Sequence, residues 1–173
     1  VQDVEFSIRH LVEIALRALS PGINDPFTAI AVIDRLGAAL GELMRRELQP
    51  EVFCDEAGVV RVVGRASSFR GFVDVAFHQI RQAGAEHPAV IIQMLDIVAK
   101  LAVNVRLPSQ RDALFDHAHT IAEAGRRGAS EASDMADIEH SYQAAQMELD
   151  RRCPHDVESM GLADRNQSLR RLD

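Results

Sequence analysis

Apolar residues recur at three- and four-residue intervals along almost the whole of this 173-residue chain. That spacing keeps one side of an α-helix apolar and predicts helix nearly everywhere. From Val4 to Leu19, a polar stripe of Arg9, Glu13 and Arg17 runs beside Phe6, Leu11, Val12, Ala15, Leu16 and Leu19. Ser20-Pro21-Gly22 breaks that helix, because proline lacks an amide donor and glycine tolerates positive φ. Asp25-Pro26 starts the next, with Asp25 as N-cap and Pro26 as first helical residue. Between Ala29 and Leu40 this second helix (26–48) carries only Asp34 and Arg35 as charges, so it is expected to be the central, enclosed element.

Four further helices are expected. The third, 69–83, is capped by Ser67 or Ser68, stopped by Gly84, and buries Phe69, Phe72, Val73, Ala76, Phe77 and Ile80. The fourth starts at Pro88 and reaches about Val105; the fifth, 110–124, follows Ser109 as its cap. Gly125 to Gly128 reads as a loop, and the sixth helix covers 135–152. Only 51–65 has another texture: Val52-Phe53-Cys54 and Val59 to Val63 flank Asp55-Glu56-Ala57-Gly58, as a β-hairpin would. The expected fold is therefore mainly α, a bundle of about six helices around a central apolar helix (26–48), with one inserted β-hairpin (51–65). One domain, 1–152, precedes a tail, 153–173, that is expected to be mobile.

Composition removes several classes of function. Hydrophobic residues are 47% and charged residues 26%, which excludes wholesale disorder. Twenty-six acidic against 19 basic residues, a net charge of −7, argue against nucleic acid as a partner. The most apolar stretch, Ala89 to Val105, carries a polar stripe of Gln93, Asp96, Lys100 and Asn104 and is too short to span a bilayer. Cys54 and Cys153 form no CxxC pair or disulfide framework, which fits a reducing compartment.

Two constellations are candidates for chemistry. Asn24, Asp25 and the free amides at the start of the second helix, with Arg9, Glu13 and Arg17 nearby, could hold a ligand. The structural reading of the same residues is a helix corner, in which Asp25 caps, Asn24 takes an unusual φ and Arg17 bonds the loop carbonyls. Asp34, alone on an apolar helix, is expected to be buried and paired with an arginine. Arg70, Asp74 and His78 follow at four-residue spacing, where a solvated chain of mutual contacts outweighs acid–base or metal chemistry. His117 and His119 point about 200° apart on a helix and cannot clamp one ion. The six carboxylates from Glu131 to Asp150 read as a solvated acidic helix. There is no GxSxG, P-loop, GxGxxG or HExxH motif, so no catalytic residue, metal ligand or cofactor is assigned.

The run Arg-His-Leu-Val-Glu-Ile-Ala-Leu-Arg-Ala-Leu-Ser-Pro-Gly-Ile-Asn-Asp-Pro-Phe-Thr-Ala, from Arg9, closely resembles the signature of a bacterial family. These are the predicted membrane proteins of domain-of-unknown-function family 2254. The similarity continues through Ser68-Phe69, Val73 to Phe77, Gln79 to Gln82 and Pro88-Ala89-Val90, and fades beyond about Ala124. The resemblance implies a soluble C-terminal region, tethered through transmembrane helices that precede it; the unpaired cysteines place that region on the cytoplasmic face of the inner membrane. The resemblance implies no activity. The resulting expectation is a non-enzymatic module for assembly, regulation or sensing, self-associating as a dimer through the hairpin and a neighbouring helix. The alternative is a hydrolase or small-ligand domain with its site between Ser20 and Asp34.

Overall fold

The computed structural model describes residues 2–46, 52–54, 60–63 and 68–151. Six helices make up its packed body: α1 (Gln2–Ala18), α2 (Pro26–Arg45), α3 (Phe69–Ala83), α4 (Pro88–Ala102), α5 (Pro108–Gly128) and α6 (Ala132–Arg151). They alternate in direction. Asp34, Gly37 and Gly41 of α2 lie beside Gln93, Ile97 and Leu101 of α4, so these two helices run parallel. Gly125 of α5 lies against Ile91, and Gln110 at its other end reaches Met44, so α5 runs back along both. One end of the bundle therefore gathers the α1–α2 corner, the α3–α4 turn and the α5–α6 turn.

The innermost element is α4 rather than α2. Val90, Ile91, Met94, Leu95, Ile97, Val98, Leu101 and Ala102 are all buried, and α2, α5 and α6 pack around them. The expectation of a central helix at 26–48 is corrected on this point. Helix α2 buries Ala29, Ile33, Leu36 and Leu40 but exposes Phe27, Ala31, Asp34, Arg35, Ala38 and Glu42. Alanines bury little area, so leaving two of them in water costs little, whereas the larger side chains of α4 gain most from enclosure. Phe6, expected on the apolar side of α1, is exposed.

Local signals place most helix ends. Ser68 caps α3 by accepting from the Gly71 amide at 3.1 Å, and Gly84 closes it. Helix α5 departs from expectation at both ends. Pro108, not Gln110, is its first residue, because the Gln110 side chain reaches back to accept from the Arg106 and Leu107 amides. Its last turn runs through Gly125 to Gly128, where a loop was expected. A Cβ on Gly125 would stand 2.6 Å from Ile91 Cγ2, and one on Gly128 1.8 Å from the Ala85 carbonyl oxygen. These glycines let α5 approach its neighbours closely; they do not end it.

The hairpin expected at 51–65 lies largely outside the described residues. Two short runs, β1 (Val52–Cys54) and β2 (Val60–Val63), pair antiparallel with Val52 opposite Val63 and an irregularity between Phe53 and Cys54. Their principal contacts among the described residues are with each other, so the packed core is wholly helical. The turn, the side chains of the hairpin through which a dimer was expected, and the tail 153–173 lie outside the described residues.

Candidate functional site

The α1–α2 corner is closed by its own backbone and side chains. The Asn24 and Ile23 amides donate to the Ser20 carbonyl at 2.8 and 3.0 Å, and the Asp25 amide to Ala18 at 2.8 Å. Asn24 has φ 50°, the left-handed region that asparagine tolerates. The Asp25 carboxylate accepts from the Thr28 amide at 3.1 Å and from the Thr28 hydroxyl at 2.5 Å. These bonds, the hydroxyl's first, hold the Asp25 carboxyl below its ordinary pKa. Arg17 does not bond the loop carbonyls as the corner reading expected; its guanidinium pairs with Glu13, one helical turn back, while Ser20 Oγ donates to its carbonyl at 2.7 Å. Arg9 pairs likewise with Glu5 at 2.7 Å.

Asp34 is exposed, and its partner is Gln93, whose amide donates at 2.6 Å. The expected buried Asp34–arginine pair is thereby corrected. Position 34 falls on the outward face of α2, where a carboxylate stays hydrated and needs no counter-charge.

The candidate residues divide between two surfaces. Arg9 and Glu13 line a groove of about 450 Å³ between α1 and α3, with Val12, Leu16 and Val75 on its walls and Asp74, His78 and Gln79 opposite. Asp34 lines a separate cleft of about 550 Å³ between α2 and α4, with Ala38, Glu42, Arg45, Ile97 and Lys100. Arg17, Asn24 and Asp25 line neither.

Behind the first groove stands a contact that sequence reasoning missed. His117 of α5 is 7% exposed, and its Nε2 lies 2.8 Å from Asp74 Oδ1. A carboxylate only accepts, so Nε2 carries the proton and Nδ1, buried with no hydrogen-bond partner, is the bare nitrogen. Burial lowers the His117 pKa, opposed by the hydrogen bond and charge of Asp74. Phe77 packs its edge on the ring, with centroids 6.0 Å apart. Arg70 crosses to Asp116 at 2.8 Å, and His78 turns to Gln82 at 3.2 Å. The expected mutual chain Arg70–Asp74–His78 is thus replaced by two bridges to α5 and one contact within α3. The missed signal was available: His117 lies on the stripe Leu114, Ala118 and Ile121, so its spacing marks it as a buried polar residue.

His119 points elsewhere, to Tyr142 Oη at 3.4 Å. The carboxylates of α6 lie at the surface as expected, and two of them also meet arginines of α5. Arg126 bridges Glu123 and Glu139, at 2.7 and 2.6 Å, and sits 5.1 Å above the Tyr142 ring, while Arg111 binds Asp150 at 3.0 Å. Arg126 holds the Glu139 carboxyl below its ordinary pKa. Among the described residues no three His, Cys, Asp or Glu side chains converge on a possible metal position.

The family model described as "Predicted membrane protein (DUF2254)" matches residues 1–100, which include the corner, both walls of the groove and most of α4. The chain belongs to this family. An uncharacterized protein of Mycobacterium bovis and two of Mycobacterium tuberculosis are each 37% identical over 135 residues. That match covers 78% of this chain and 26% of each relative, so the chain spans about a quarter of their length. No solved structure is similar to it. Among the described residues, no helix is long and apolar enough to cross a membrane.

Proposed function

We propose that this part of the DUF2254 protein is a non-enzymatic module for assembly or regulation, carried on the cytoplasmic face of the membrane by segments outside the matched region. The observation that supports this reading is the use made of the family's own signature residues. Arg9 is taken by Glu5, Arg17 by Glu13, Asp25 by Thr28 and Asp34 by Gln93. Each of these four groups serves to fix one helix to itself or to its neighbour. The pairing of Asp74 with His117 likewise ties α3 to α5.

Deleting the corresponding segment from a mycobacterial relative tests the reading. Native electrophoresis of detergent extracts should show the remainder still in the membrane but in a smaller or dispersed complex. A complex diminished only by the mass of the deleted segment would refute an assembly role. The groove between α1 and α3 favours the alternative, a small-ligand domain, because it gathers Arg9, Glu13, Asp74 and His78 around apolar walls. A metabolite that raises the melting temperature of the chain, and fails to do so after His78→Ala, would establish that alternative.

A further inference from the structure

The outward face of α2 has a sequence that complements itself. Ala31, Asp34, Ala38 and Arg45 follow at spacings of three, four and seven along one stripe, with Arg35 and Glu42 seven residues apart on one flank and Gly41 buried against Leu101 on the other. Ala31, Asp34, Arg35, Ala38, Glu42 and Arg45 are exposed, and Asp34, Ala38 and Arg45 also line the cleft beside α4.

We propose that this face is a contact between two copies of the chain, with the two α2 helices crossing antiparallel about a two-fold axis. In that register Ala38 lies near the axis, with Asp34 opposite Arg45 and Arg35 opposite Glu42, each pair twice by symmetry. Every charged residue of the face meets an opposite charge, and the small Ala38 near the axis allows the backbones to approach. A parallel pairing sets Asp34 against Asp34 and Arg45 against Arg45, which repel. Arg35 has no ion-pair partner among the described residues, and neither does Lys100 on the other rim of the cleft. Glu42 and Arg45, already paired within the helix, remain 60% and 48% exposed and free to share their charges with a second copy.

The contact is small. One helix face buries far less than the roughly 1,600 Å² of a standard stable interface, so the isolated chain associates weakly. The inference rests on the assembly reading above, because tethering to a larger complex raises the effective concentration to the millimolar range and makes such a contact sufficient.

Sedimentation equilibrium on the purified chain under reducing conditions tests it through a charge exchange. Arg35→Glu alone and Glu42→Arg alone each place like charges together and should weaken association at least about 10-fold. Mixing the two single variants restores opposite charges, and a heterodimer should form with close to the wild-type constant. The double variant, with both changes in one chain, should also self-associate. Ala38→Glu should abolish association. All three sites are exposed, and a melting curve for each variant confirms that it folds. A species of 19.1 kDa at every concentration up to about 1 mM overturns the inference. So does a dimer indifferent to Arg35→Glu and Ala38→Glu, which puts self-association on another face. Either result concerns this interface only, since the deletion experiment judges the assembly reading separately.

Discussion

His117 and His119 stand two residues apart and meet opposite surroundings. His119 shares the partly buried rim with Tyr142, whereas His117 sits in the α3–α5 interface with one nitrogen bonded and the other bare. Protonating His117 would create a buried N–H with nothing to receive it. The unfolded chain binds that proton near pH 6.5, and the folded chain resists it to lower pH. Stability should therefore be level above about pH 7 and fall as the pH drops below 6.5. Melting temperatures between pH 8 and 5 check this, and His117→Gln should flatten that fall. At pH 8 the same substitution should cost about 1–3 kcal/mol by disturbing a buried polar contact. Asp25 titrates with the same sign in a more acidic window. Its lowered pKa makes the cap a stabilising feature at neutral pH, lost as the pH falls below its ordinary 3.8. Asp25→Ala should lower the melting temperature at pH 7, and a variant that melts with the wild type would show that the cap contributes nothing.

At the scale of single elements, the glycines of α5 mark where local signals end and packing takes over. Glycine normally weakens a helix by up to about 1 kcal/mol relative to alanine, so Gly125 and Gly128 read as a terminus. The Ala85 carbonyl against Gly128 reverses that preference. Gly128→Ala should destabilise by about 1–3 kcal/mol in chemical denaturation, the usual cost of overpacking, where an open helical site would gain. Asp34→Ala, on an exposed position with one amide partner, should change stability by less than about 1 kcal/mol. A loss of several kcal/mol would indicate a burial that Asp34 does not have. Caps, proline starts and apolar stripes made α3 and the α1–α2 corner legible before any coordinates, because those signals act within one turn of the chain. The bridges Asp74–His117, Arg70–Asp116 and Asp34–Gln93 were not legible. Their partners lie more than forty residues apart, and only the crossing of helices decides which meet.

Across the whole molecule, the expectation of a six-helix body holds and the choice of its centre does not. An unbroken apolar stretch on α2 is rich in alanine and glycine, and it packs as a side wall with an open face. The bulkier α4, amphipathic by its own polar stripe, takes the middle. The same distribution supports an assembly role. Polar groups hold helix to helix, and the most regular free surface matches a second copy of itself. The direct measurement is turnover by the purified chain on panels of ester, phosphoester, peptide and nucleic-acid substrates, repeated with Asn24→Ala, Asp25→Ala and Asp74→Asn. A module built as described gives no turnover above buffer. Hydrolysis of any substrate class that Asn24→Ala, Asp25→Ala or Asp74→Asn abolishes while the fold persists would contradict the account.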